Sequence, residues 1–245
     1  MRQIPLESRT DSTIAAEWDE IAPLRAEQIL NGADHSAKNV LAPTLIRMTG
    51  AAERLLDIGC GTGWLSGLLS EHCGCIIGID PSGTSIRLAS QTIHKPNVQF
   101  IHASIEIFSA TNPSLFSAAI ANMTLSALKS LPLAVAAIRG CLATNATFSF
   151  TIPHPCFWPA YWGYATAPWF KYEVETAIEA PFRIATQKCN FVTTHVHRPL
   201  SQYVKILRDA NFELEEFEEL VGQGFSFPRF IAMRWRATLP RTKQL

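Results

Sequence analysis

Charge of one sign, long apolar runs and paired metal-type residues are all scarce in this chain. Lysine plus arginine and aspartate plus glutamate each number 21 in 245 residues, so no global field draws the protein to nucleic acid or to an anionic membrane. No segment approaches the ~20 apolar residues of a membrane span, and residues 1–11 lack the apolar centre of a secretion signal. The expected location is therefore the cytoplasm. Zero net charge gives little colloidal repulsion, which leaves room for a homodimer. Six cysteines (Cys60, Cys73, Cys75, Cys141, Cys156 and Cys189) are spread through apolar segments. They read as reduced packing residues rather than a disulfide framework. His72-Cys73-Gly74-Cys75 has no second Cys/His pair at ligand spacing, so no metal is expected. Neither a repeat nor a low-complexity tract interrupts the chain, and 47% hydrophobic content over this length can bury one large core.

What the chain does have is a short apolar strand, Leu55 to Ile58, that passes through Asp57 into Gly59-Cys60-Gly61-Thr62-Gly63 and then a helix. Glycine at alternate positions lets backbone lie against a ligand that a Cβ would push away, and a helix entry offers free N–H groups. A second acid, Asp80, closes the next apolar run, Cys75 to Ile79, where a carboxylate on a neighbouring parallel strand suits a ribose. A GxGxxG reading from Gly59 meets Trp64 at the third glycine, too large for a pyrophosphate at the helix entry, and a reading from Gly61 meets Ser66.

Further along, apolar runs alternate with helical patterns: Val98 to Ile101, Phe116 to Ala121 with a helix from Leu125 to Arg139, and Thr147 to Ile152. That alternation predicts an α/β fold with a parallel sheet. Helices are expected at Ser12 to Ile21 and at Ser36 to Met48, the second bent at Pro43. The end differs: after a helix at Leu200 to Ala210, the runs Asn211 to Leu220 and Arg229 to Ala237 flank Gly222-Gln223-Gly224 and predict an antiparallel pair. Leu214, Phe217 and Leu220 also have helical spacing, and the glutamates around them read as a solvated face.

The runs Leu56 to Gly63 and Gly78-Ile79-Asp80-Pro81-Ser82 resemble motifs I and II of the class I S-adenosylmethionine-dependent methyltransferases, and the order of elements extends the resemblance from Ala51 to Ala237. It implies a Rossmann-like, seven-stranded, mostly parallel sheet with an antiparallel last strand and helices on both faces. It also implies S-adenosylmethionine as cofactor and S-adenosylhomocysteine as product. By the same resemblance Gly59, Cys60, Gly61 and Gly63 face the methionine portion, Asp57 holds its amine, Asp80 with Pro81 takes the ribose, and Asn122 lines the methionine side. Where the family often carries an acid for the adenine amino group, this chain has Ala103-Ser104, which makes Ser104 the candidate. His154-Pro155-Cys156-Phe157 and His197 to Tyr203 resemble segments of small bacterial methyltransferases that act on small molecules, such as those of secondary metabolism.

Residues 153–199 break the regular pattern and gather Trp158, Tyr161, Trp162, Tyr164, Trp169 and Phe170. These flat rings suit an aromatic or heterocyclic acceptor and a cationic donor, and long insertions of this kind act as lids. Residues 1–50 are expected to form an N-terminal helical lid, with Trp18 over the cofactor, and 51–245 the main domain with 153–199 as its substrate lid. Methyl transfer from a sulfonium is an in-line displacement, for which alignment and exclusion of water do most of the work. His154 is the candidate base for a hydroxyl acceptor, with His197 second. Two other readings share the glycine loop: a nicotinamide-dependent oxidoreductase and a catalytically silent cofactor-binding subunit.

Overall fold

Apolar runs alternating with helical spacing become the centre of a parallel sheet in the computed structural model, which describes residues 1–112, 114–184, 187–222 and 224–239. The chain opens with β1 (Arg2–Ile4), α1 (Asp11–Leu30) and α2 (Ala42–Thr49). The alternating core follows as β2 (Ala52–Ile58), α3 (Trp64–Leu69), β3 (Cys73–Asp80), α4 (Gly83–Thr92), β4 (Val98–His102), α5 (Ile105–Thr111), β5 (Phe116–Asn122), α6 (Leu131–Cys141) and β6 (Leu142–Pro153). The remainder is α7 (Trp158–Trp162), β7 (Thr176–Ile184), β8 (Gln187–His197), α8 (Leu200–Asp209), β9 (Phe212–Leu220) and β10 (Phe230–Ala237).

Seven strands pair in the order β4-β3-β2-β5-β6-β10-β9. β10 runs antiparallel to both neighbours, Phe230 opposite Pro153 on one side and Leu220 on the other, while the β2, β3, β4, β5 and β6 pairs are parallel. The expected sheet with its antiparallel last strand is present. Strand order reverses between β2 and β5, so the carboxyl ends of these two strands splay their following loops apart and open the crevice in which α/β sheets bind ligands. Asp57 and Asn122 stand at that opening.

Four local expectations change. The helix expected from Leu125 begins at Leu131, with Ser130 at its N-cap and Pro132 in its first turn; the missing proline N–H costs nothing there. α1 starts earlier, where Thr10 and Thr13 form a reciprocal capping box, and it continues through Pro23 to Leu30. Pro23 forfeits a bond to the Asp19 carbonyl, a loss offset by bonds that tie Asp19 and Glu17 to neighbouring elements. Pro43 sits at the start of α2 rather than at a bend, after a wider turn at Ala37–Leu41. Asn211 to Leu220 forms the expected strand of the antiparallel pair, and only the reading of its glutamates changes. Its glutamates pair across the surface with Arg47, Arg234 and Arg236 rather than facing water alone.

The insertion is less irregular than its composition suggests. After α7 it forms the antiparallel hairpin β7–β8, to which β1 adds a third strand through Arg2 to Ile4 against Ala177 to Glu179. The N-terminal segment and the insertion thus build one cap. Gln223 of the expected turn and the side chain of Cys189 lie outside the described residues; Cys60, Cys73, Cys75, Cys141 and Cys156 are free thiols.

Candidate active site

Beneath that cap, above the carboxyl ends of β2, β3 and β5, lies a cavity of about 810 Å³. Asp57 and Asp80 both line it and both are buried. Asp57 accepts one bond, from Ser66 Oγ at 2.6 Å. Burial pushes its pKa up to about 7, against the Ser66 bond and with a smaller push from Asp80. Asp80 accepts from the Ser82 and Gly61 backbone N–H groups at 2.8 and 2.9 Å. Burial nonetheless raises it to about 6. A cavity wall carrying two desolvated carboxylates, neither in an ion pair among the described residues, suits a positive group and hydroxyl donors from a ligand.

The three glycines serve different ends. Gly61, at φ 54°, has open space where a Cβ would stand, and it lines the cavity with Gly59 and Cys60. Gly63 does not reach the cavity: at φ 76°, a Cβ there would come within 2.5 Å of the Phe100 ring. Its role is to let α3 close onto β4. Gly63→Ala is expected to cost about 2 kcal/mol, from left-handed strain plus overpacking, read as a lower urea midpoint. Beyond the loop, Pro81 and Ser104 line the cavity, although Ser104 Oγ already caps α5 by accepting from Ile107 N at 3.3 Å. Asn122 lines it too, with Oδ1 held by Thr151 Oγ1 at 2.7 Å. Met123 follows in the left-handed region at φ 59°, the kind of backbone strain that collects at ligand sites.

The opposite wall comes from the cap. Trp18 of α1 faces the cavity and meets Phe182 of β7 edge-on at 6.0 Å. Of the aromatic insertion, Trp158, Tyr161 and Trp162 line the cavity. Tyr164, Trp169 and Phe170 pack on one another instead, Tyr164 against Phe170 at 5.1 Å, and Phe170 presses on the His197 ring at 4.8 Å.

Comparison with known proteins agrees with this geometry. Residues 55–145 match the family model described as a methyltransferase domain. That stretch of the chain is similar to a methyltransferase domain. Over 102 residues the chain is 34% identical to malonyl-[acyl-carrier protein] O-methyltransferase of Halalkalibacterium halodurans, a match covering 40% of this chain and 38% of that protein's length. Among solved structures, an S-adenosylmethionine dependent methyltransferase from Mesorhizobium loti superimposes with a TM-score of 0.61 at 20% identity, over 79% of this chain and 96% of that one. N-methyltransferase NodS from Bradyrhizobium japonicum, bound to S-adenosylhomocysteine, gives 0.58 at 18%, over 80% and 85%. The fold is the one shared by these two solved methyltransferases.

Within this methyltransferase fold the two candidate histidines stand away from the cavity. His154, 2% exposed, accepts from Cys156 N on Nδ1 at 3.2 Å, so its proton sits on Nε2 and is donated to Glu219 at 2.8 Å. His197 donates from Nε2 to the Tyr172 carbonyl at 2.9 Å, and burial lowers its pKa. Both rings are occupied by hydrogen bonds within the protein. Two histidines do line the cavity, His35 and, on β8, His195. Burial, helped by His197 and Arg198, pushes His195 down to about 3, so its ring is neutral near pH 7.

Sequence reasoning also missed Glu106, Phe182, Phe225 and Arg229 on the cavity wall. A signal existed for His195: Val192-Thr193-Thr194-His195-Val196-His197 is β-branched enough to read as a strand. Glu106 lies two residues beyond the Ala103-Ser104 site at which the family's acid is absent. The cap itself is pinned from both sides. Asp19 accepts from Ser82 Oγ at 2.7 Å and Thr84 N at 2.8 Å, joining α1 to the β3–α4 corner. Glu17 accepts from Thr194 N at 2.6 Å and Thr194 Oγ1 at 2.8 Å, joining α1 to β8.

Proposed function

We propose that this protein is an S-adenosylmethionine-dependent methyltransferase that transfers a methyl group to nitrogen or oxygen of a small planar metabolite, aromatic or heterocyclic. The observation that carries the reading is the shared cavity: carboxylates and an open glycine on one wall, indole and phenol faces on the other. Both acceptor atoms occur among its relatives, oxygen in the Halalkalibacterium enzyme's name and nitrogen in that of NodS. The nicotinamide alternative is disfavoured by Trp64, whose side chain occupies the cavity wall at the head of α3.

The residues fit the cofactor, which supplies an activated methyl group on a sulfonium sulfur. Asp57 would take its ammonium and Asp80 its ribose hydroxyls, while Gly61 permits close approach of backbone. Trp18, Pro81, Ser104 and Glu106 would enclose the base portion. The cap excludes water, so the sulfonium and acceptor meet in a poorly screening environment. His195, neutral at working pH, can orient an acceptor by a hydrogen bond but is a feeble proton sink. Acceptors with a lone pair already free, such as a ring nitrogen or an ionised acid, suit it better than a phenol. We assign no proton transfer to His154 or His197. The free thiols of Cys60, Cys73, Cys75, Cys141 and Cys156 accord with a cytoplasmic setting. Among the described residues no helix is long and apolar enough to cross a membrane.

Calorimetric titration with S-adenosylmethionine and S-adenosylhomocysteine tests the reading. Micromolar or tighter binding of both, with no response to NADH, is expected. Absence of binding to both, or competition by NADH, would remove it.

A further inference from the structure

Arg229 enters the cavity from the turn ahead of β10. Its backbone is locked between two strands, N donating to the Leu220 carbonyl at 2.9 Å and O accepting from His154 N at 2.8 Å. The guanidinium carbon lies over the rings of Tyr161 and Phe225, 4.1 Å from each centre, with Phe230 at 5.1 Å and Trp158 at 5.8 Å. No carboxylate among the described residues pairs with it. Asp34, whose field it feels, is spoken for by Arg25 at 3.0 Å. Its Nε is buried and has no hydrogen-bond partner.

Tyr161 and Phe225 meet each other edge-on, 5.4 Å apart at 80°, so they cover the guanidinium from two directions rather than sandwiching it. Its two Nη groups are the donors that remain for a ligand in the cavity. A half-buried cation left without a counter-ion is costly unless a partner completes it. The partner that matches an in-plane fork is a planar anion accepting two parallel hydrogen bonds, which is a carboxylate. Its neighbours Trp158 and Tyr161 belong to the wall assigned to the acceptor, away from Asp57 and Asp80.

Resting on the functional reading above, we propose that Arg229 selects the methyl acceptor, and that the acceptor is a small organic acid whose carboxylate docks on the Nη fork of this guanidinium, beside Tyr161 and Phe225. The aromatic rings then contact the acid's body while the fork fixes its direction in the cavity. The unpaired charge makes this a site for an anion rather than for a neutral amide of the same shape.

Binding of matched acid and amide probes to protein saturated with S-adenosylhomocysteine tests the assignment: benzoate against benzamide, and hexanoate against hexanamide, followed by calorimetry. At least one acid should bind the wild type tenfold or more tightly than its amide. Arg229→Met should erase that preference, and Arg229→Lys, which keeps the charge but loses the fork, should lose most of it. S-adenosylhomocysteine affinity and the circular dichroism spectrum should be unchanged in both variants, showing that the pocket and not the fold was altered. Equal binding of acid and amide, no binding of any probe, or a preference that survives in Arg229→Met would overturn the inference. Those outcomes with cofactor binding intact defeat it alone, whereas a wild type that binds no S-adenosylhomocysteine defeats the methyltransferase reading.

Discussion

Asp57→Asn is expected to weaken S-adenosylhomocysteine binding about 100-fold while raising the melting temperature of the ligand-free protein. The loss follows from replacing a buried carboxylate by a neutral amide opposite an ammonium, a contact worth about 2–3 kcal/mol. The gain in stability follows from linkage. Asp57 has a folded pKa of about 7 against an ordinary 3.8, so between those values the folded protein holds a proton that the unfolded chain has released. Stability therefore falls as pH rises through that window, and the full cost, on the order of several kcal/mol, is present above pH 7. Asparagine keeps the shape and can still accept from Ser66 through Oδ1, yet has no charge to desolvate. Scanning fluorimetry should show the increase at pH 8 and little of it at pH 4. An unchanged affinity would exclude Asp57 from the cofactor site; an unchanged melting temperature at pH 8 would show that its burial costs nothing.

The wild type should carry the same physics into binding. The ammonium prefers an ionised Asp57, so binding releases a proton wherever the free protein holds one. Affinity is expected to fall as pH drops below about 7, and more steeply below about 6 once Asp80 is protonated as well. Titrations at pH 8, 6.5 and 5 would reveal it, and a flat profile would show that neither carboxylate meets a charged or donor group of the ligand. In Asp57→Asn the upper part of the slope should vanish and the lower part persist.

That Asp57, Asp80 and Gly61 line one cavity was legible in the sequence because local chain geometry brings them there, with a strand end, a tight turn and a helix entry lying within a few residues of one another. The seven-stranded sheet was legible for the same reason, each apolar run and its helix being a local unit. The cap side of the cavity was not. His195 and Phe182 sit on a hairpin held over the sheet by β1 and by Glu17 of α1, and Arg229 lies just ahead of the β10 strand that pairs with β6; contacts between segments so far apart in the chain have no short-range signature. His154 shows the opposite failure. Its position at the end of β6 pointed to the crevice, but the side chain turns away to Glu219, a residue on the strand beyond β10. The aromatic run in the insertion divides likewise: the chemistry of a tryptophan or tyrosine suits ligand and core equally, and only tertiary packing sends Tyr164 and Trp169 to one and Trp162 to the other.

Arg198→Met is expected to lower the unfolding free energy by about 3–5 kcal/mol, the range for breaking a buried charged network. The guanidinium is fully buried. Nε donates to Glu175 at 2.7 Å, Nη1 to the Leu125 carbonyl at 3.2 Å, and Nη2 to the Leu128 and Lys129 carbonyls at 2.7 and 3.0 Å. Those three carbonyls belong to the non-helical turn between β5 and α6, whose residues 126–130 line the cavity. Methionine fills the space of the side chain but leaves the carbonyls without a donor, each costing about 1–3 kcal/mol where water does not reach. The turn should then loosen: amides of residues 124–130 should exchange hydrogen faster in the ligand-free variant, and the urea midpoint should fall. Glu175→Gln separates the two halves of the network, because Glu175 is partly exposed and water can replace its charge. That variant should cost about 1 kcal/mol or less. A loss as large as that of Arg198→Met would place the stability in the ion pair rather than in the carbonyls that shape the cavity wall.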